Sequence, residues 1–311
     1  MTKNAKTKTV LLSLIGLLLL IYILQLTLGS RSTVKTLKLS SEADSILIHK
    51  TGSEDILLSK EGDKWFVGNK KYAADQNKVQ RLYEAVKEVK ILNTAATSLG
   101  NDAARYGLDE GSVTTVTAQK DGKEIRKIVA GKTTSSGIQS YVMLDGKDSV
   151  YVANGNIASI FSVSVEGLRS KAIYSLDENS IEAVSYTGSD GSFTLNKSVS
   201  GSGKNKTTQW NLSLNSVDEK ITQLDNAKVS EWISDLEELN CTSWANENIE
   251  LPSSNEAVLT LSRKDKADIS VTVHKIENAS TYICSSSESP YIFNLSKYSG
   301  EKIVKKLSDL Q

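Results

Sequence analysis

The chain reads as an α+β protein: an N-terminal transmembrane helix followed by two tandem similar domains, each a mostly antiparallel β-sheet with a packed helix. Three observations predict this. One uncharged apolar run stands before a long polar remainder, short runs of alternating apolar and polar residues recur along that remainder, and their order is played twice.

The apolar run is Val10–Leu28, VLLSLIGLLLLIYILQLTL, preceded by a tail with Lys3, Lys6 and Lys8. At 1.5 Å per residue a helix over this run would reach roughly 28 Å, close to the ~30 Å hydrocarbon core of a bilayer. A cleaved signal peptide would end in a small-residue A-x-A-like site, but the run exits through Thr27-Leu28-Gly29-Ser30. The expectation is therefore a cell-membrane protein with a single-pass, uncleaved anchor over residues 10–28. Residues 1–9 form a cytoplasmic tail and the bulk is extracytoplasmic, an orientation that rests on a modest charge bias, since Arg31, Lys35 and Lys38 lie beyond the run.

The remainder divides into a first repeat over residues 36–175 and a second over 176–311. In the first, Ser45–His49 alternates as a strand, Asp55–Leu58 and Lys64–Val67 follow, and Trp65 centres the last. Asp75 then caps a helix to about Val89, with Val79, Leu82, Val86 and Val89 at helical spacing. The second repeat replays the order. Ile181–Tyr186, Ser192–Asn196 and Gln209–Leu214 are its strands, with Trp210 where Trp65 stood. A helix from Asp225 to Leu239 places Val229, Trp232, Leu236 and Leu239 at the same steps from Asp225. Four more strands follow each helix: Val113–Gln119, Glu124–Val129, Ser140–Leu144 and Val150–Val152, then Val258–Ser262, Ile269–His274, Thr281–Cys284 and Tyr291–Phe293. Short helical segments, Asn156–Phe161 and Lys297–Leu310, end the two sets. Asp121-Gly122, Asp145-Gly146 and Asp190-Gly191 are hairpin signals, which favours antiparallel pairing, and Gly201–Lys206 reads as an enlarged loop.

This order of elements resembles a bacterial family, the domain of unknown function 4340 family, over nearly all of residues 36–311. Three places carry the resemblance: the Trp65 strand with the Asp75 helix; the turn Tyr106-Gly107-Leu108-Asp109; and Leu168-Arg169-Ser170-Lys171, which joins the halves ahead of Leu176-Asp177. The sequence departs from the family at Glu110-Gly111, where a Pro is common, and the second half has no Tyr-Gly-Leu-Asp. The resemblance implies a membrane-anchored accessory partner of a gliding-motility-type ABC transporter, with a permease or related envelope proteins as partners. It brings no active-site residues with it.

Residue chemistry supplies no catalytic, cofactor or metal site. Gly131-Lys132-Thr133 lacks the first Gly of a phosphate loop, since Arg126 stands there, and reads as a turn. Ser32-x-x-Lys35 follows the apolar run directly, without the partner motifs of an acyl-enzyme. His49 and His274 are the only histidines, and neither has metal-ligand spacing. With 37 basic and 37 acidic residues there is no nucleic-acid patch. Cys241 and Cys284 are either an extracytoplasmic disulfide or two small buried hydrophobes. Tyr106, Gly107, Leu108 and Asp109 read first as a structural turn and second as a recognition turn for a partner. The expected function is a non-enzymatic accessory and interaction protein of an ABC-type transport or gliding-motility-like envelope complex, which needs no cofactor. The alternatives are a binding module for an envelope polymer or small exported ligand, with a cleft between the repeats, and an envelope hydrolase acting through paired carboxylates.

Overall fold

The computed structural model describes residues 13–24, 34–177, 179–189, 191–201, 207–214, 224–246, 248–275 and 280–311. The expected tail 1–9 and most of Gly201–Lys206 lie outside them.

The described part of the expected anchor is α1, residues 13–24, with exposed side chains such as Leu17 and Leu20. Its twelve residues rise about 18 Å, well short of a bilayer core. No helix among the described residues is long and apolar enough to cross a membrane. Residues 10–12 and 25–28 lie outside the described set. The fold class also shifts from α+β to mostly β. Twenty strands are described, while beyond α1 only two helices reach ten residues. The reason is that helical pattern ends early: Val89 and Leu239, expected on helices, lie on strands.

The chain forms two compact units, residues 1–170 and 171–311. The first holds β1 (Lys35–Lys38), β2 (Ser45–Lys50), β3 (Ile56–Glu61), β4 (Lys64–Val67), β5 (Tyr72–Ala73), α2 (Gln76–Lys87) and β6 (Glu88–Ala96). After these come α3 (Ala103–Tyr106), β7 (Thr114–Lys120), β8 (Lys123–Thr133), β9 (Gln139–Leu144), β10 (Val150–Asn154), α4 (Ile157–Phe161) and α5 (Val165–Leu168). Its ten strands make one sheet, ordered β1-β6-β10-β9-β8-β7-β2-β3-β4-β5, and every pairing is antiparallel.

Alternation decides which face of this sheet is covered. Ile46, Leu58, Val67, Val116, Ile128 and Val142 share a core with Val79, Leu82 and Val86 of α2 and with Ile157 and Phe161 of α4. Asp75 starts α2, its carboxylate accepting from the Lys78 amide at 3.1 Å. Glu88 ends it by turning extended, so Val89 and Ile91 bury on a strand's period instead. Hairpins close at Asp121-Gly122 (φ 49° and 72°) and Asp145-Gly146 (φ 51° and 71°), the left-handed pairs that fit the twist of the strands.

The second unit holds β11 (Ala172–Ser175), β12 (Ile181–Gly188), β13 (Gly191–Ser200), β14 (Thr207–Leu214), α6 (Asn226–Asp235), β15 (Glu238–Asn240) and β16 (Ser243–Trp244). It continues with β17 (Ala257–Arg263), β18 (Lys266–Lys275), β19 (Thr281–Ser286), β20 (Ser289–Ser296), α7 (Lys297–Ile303) and a closing 3-10 turn, Leu307–Leu310. Its main sheet runs β14-β13-β12-β17-β18-β19-β20-β16, and β11 pairs β15 separately. Reading β2–β4 as β12–β14 and β7–β10 as β17–β20, the two large sheets share one strand order. Val229, Trp232 and Leu236 place α6 on the core as Val79, Leu82 and Val86 place α2.

Candidate functional site

The Leu168–Lys171 segment is built into the entrance of α2. The Asp75 amide donates to the Leu168 carbonyl at 2.8 Å, the Ser170 amide donates to the Ala73 carbonyl at 2.8 Å, and Ala74 bridges Arg169. Leu168 is buried, and the Arg169 guanidinium lies 3.8 Å from the centre of the Tyr72 ring, a stacked cation–π contact. Lys171 belongs to the second unit, where its carbonyl accepts from the Cys241 amide. The second unit repeats this joint with residues that show no motif in the sequence. The Asp225 amide donates to the Leu310 carbonyl at 2.9 Å, and Leu310 is as buried as Leu168.

Tyr106–Asp109 forms a plug on the opposite sheet face from α2. Tyr106 and Leu108 pack with Val150, Val129, Tyr141 and Met143, and the Tyr106 and Tyr141 rings meet edge to face at 5.0 Å. Gly107 takes φ 64°, and a Cβ on it would sit 2.8 Å from the Lys132 amide nitrogen. A Cβ on Gly131 would drive into the Tyr106 carbonyl oxygen. Two backbones therefore touch where both residues lack a side chain. Gly131–Thr133, expected as a turn, instead ends strand β8 at a bulge. Asp109 accepts from the Ser112 hydroxyl at 2.8 Å, which closes the turn locally. Every member of the motif thus has a structural task.

Cys241 and Cys284 are separate buried thiols. Burial pushes the Cys284 thiol up to about 12, the opposite of a reactive thiolate. No cluster of three metal-ligating side chains occurs among the described residues.

Two further surfaces bear on function. The first is a groove of about 760 Å³ between α2 and the α4–α5 segment, with Ile160, Val163 and Leu168 on its floor and Lys78 and Arg81 on its rim. The second is the β14 edge. A sheet edge left open is a template for another strand, and proteins block edges with brevity, lysines, prolines or bulges. Among the edges that the described residues give the two large sheets, β1 carries Lys35 and Lys38, and β5 and β16 have two residues each. The fourth, β14, is eight residues long, TTQWNLSL, without charge or proline and in unbroken register with β13. The Trp210 amide points away from β13, donating to Asn226 Oδ1 at 3.3 Å, while the Gln209 carbonyl faces β13 and accepts from the Ser198 hydroxyl. By strand alternation the backbone groups of Thr208 and Leu212 also face outward. Neither surface was legible in the sequence, because edge status and groove shape depend on which strands and helices become neighbours.

Neither a curated protein nor a solved structure matches the chain. The family model described as Domain of unknown function (DUF4340) matches residues 65–257, more than half of the sequence and a span that starts at Trp65 and takes in both motif segments. The chain belongs to the DUF4340 family.

Proposed function

We propose that the chain is a non-enzymatic interaction protein that takes an extended segment of a partner protein as a ninth strand on β14, paired through the outward groups of Thr208 and Leu212, with the Trp210 amide kept on Asn226 or released from it on binding. The partner is a component of an ABC-type envelope transport complex, in keeping with the accessory role that the family resemblance implies. The observation that supports this reading is the β14 edge: long, uncharged, proline-free and regular, beside three edges that are short or carry lysines. Strand addition draws its affinity from main-chain hydrogen bonds and its specificity from side chains at alternate positions. Here Gln209, Asn211 and Ser213 offer an exposed polar row on one face.

Site-specific photo-cross-linking in the native cell tests the reading. A photoreactive residue at Gln209 or Asn211 is expected to capture one defined partner, and the same residue at exposed Lys123, on the first unit's hairpin, to capture none. Equal capture at all three positions, or capture of no protein from β14, contradicts it.

A further inference from the structure

We propose that the groove between α2 and the α4–α5 segment binds a single acyl chain with a carboxylate head. The inference does not depend on the β14 reading. It starts from a difference between two matching places. In the second unit the corresponding helices are locked by an ion pair: Lys302 Nζ of α7 lies 2.7 Å from Asp235 Oδ1 of α6, and the Trp232 indole donates to the Lys302 carbonyl at 2.8 Å. That pairing holds Lys302 above the ordinary lysine range. The shared joints Asp75–Leu168 and Asp225–Leu310 give the correspondence. Counting ten residues on from each Asp, Asp235 matches Ala85, and counting eight back from each Leu, Lys302 matches Ile160.

The first unit has thus exchanged the ion pair for two apolar side chains. Ala85, Ile160 and Val163 pack against its core while only partly buried, and a groove of about 760 Å³ is lined by Ile160 and Val163, with Arg81 and Glu84 of the α2 turn before Ala85 on its wall. That volume falls in the range of small-molecule pockets, which are mostly apolar with a few polar groups that fix orientation. The rim supplies the orientation. Lys78 is engaged with the Gly167 carbonyl at 2.9 Å and with Asp75 at 3.5 Å. Glu84 is engaged with Gln80 at 2.7 Å and with Lys87 at 3.8 Å. Arg81, one turn from Lys78, is exposed at the mouth and presents the planar fork that a carboxylate matches. An apolar floor beneath a guanidinium selects an amphiphile with an anionic head, and the fork selects a carboxylate.

The test uses the full chain and a diazirine-bearing dodecanoate below its micelle concentration, with the labelled peptides mapped by mass spectrometry. Labelling is expected on α2 and on residues 156–168, competed by dodecanoate. Arg81→Gln is expected to weaken competition about tenfold, the scale of one charge-assisted contact. Ala85→Asp with Ile160→Lys, which installs the ion pair of the second unit, is expected to abolish labelling. Unchanged thermal unfolding checks the fold of the double variant, and the surface variant Arg81→Gln decides the matter if the double variant does not fold. Labelling confined to residues 13–24, an unaffected Arg81→Gln, or competition by dodecanol as strong as by dodecanoate would overturn the proposal. Stronger competition by a lysophosphatidate would overturn the carboxylate assignment.

Discussion

The side chain of Gln76 holds both backbone groups of Trp65: the Trp65 amide donates to Gln76 Oε1 at 2.9 Å, and Gln76 Nε2 donates to the Trp65 carbonyl at 2.9 Å. The first residue of a helix thereby satisfies the Trp65 amide and shares the Trp65 carbonyl with the Ala74 amide, which donates to it at 3.2 Å, while Gln76 Nε2 also donates to the Ala74 carbonyl at 2.8 Å. Asn226 repeats half of the device, accepting from the Trp210 amide at 3.3 Å. A neutral hydrogen bond contributes about 1 kcal/mol net. With three such bonds, Gln76→Ala is therefore expected to cost about 3 kcal/mol and Asn226→Ala about 1 kcal/mol in urea unfolding, with faster exchange of the corresponding Trp amide. Equal costs would break the link between the number of bonds and stability.

Gly131 and Gly107 form a close backbone joint in the first unit. Gly131→Ala is expected to destabilise this unit by more than about 3 kcal/mol, since the obstacle is the Tyr106 backbone and cannot rotate away. Gly107→Ala adds a left-handed strain to its clash and is expected to be comparably severe. Gly111→Ala, whose Cβ would meet only the Asp109 carboxylate at 3.8 Å, is the near-neutral control. Thermal unfolding of the three variants ranks them.

The contrast between these two sites shows what the sequence carries. Fourteen of the twenty described strands and the cap at Asp75 were legible because alternation, helical spacing and a capping Asp are local signals, read within about ten residues. The Trp65 and Trp210 correspondence followed from the same local counting. The role of Gly131 was not legible, since it depends on contact with Tyr106, a residue 25 positions away in the chain. Leu310 likewise matches Leu168 only through a shared hydrogen bond. The strand beginning at Glu88 was hidden because Val89 fits a helical and an extended period equally well. The described helix of the apolar run covers residues 13–24, and among the described residues no helix is long and apolar enough to cross a membrane.

Of the two buried arginines described in the first unit, Arg126 and Arg169, Arg126 is the more deeply buried. Its guanidinium donates to the Val86 carbonyl at the end of α2 and to the Lys38 carbonyl of β1, each at 3.3 Å, and its Nε lies 3.4 Å from Asp145 Oδ1. Arg126→Leu is expected to cost about 2 kcal/mol, since Asp145 is partly solvated and is not stranded by the change. Arg126→Lys is expected to recover little, because an ammonium cannot span both carbonyls. Denaturant midpoints of the two variants check this.

Cys284 gives a pH dependence with a defined sign. Burial raises its thiol from 9.0 to about 12 in the folded chain, so the folded state keeps a proton that the unfolded state loses. Its contribution to stability is whole below pH 9 and is lost as pH rises from 9 to 12. The alkaline fall in stability is expected to be shallower in Cys284→Ala than in the parent chain. In the parent, both thiols are expected to resist alkylation at pH 8 until the chain unfolds.

Strand addition at β14 is tested most directly by Thr208→Pro. The Thr208 amide faces away from β13, so a proline there removes an outward donor and leaves the β13 pairing in place. The account predicts that the full-length variant keeps its unfolding midpoint within about 1 kcal/mol of the parent and loses the partner that cross-links at Gln209. Retention of that partner at parental yield by a folded Thr208→Pro chain would contradict it.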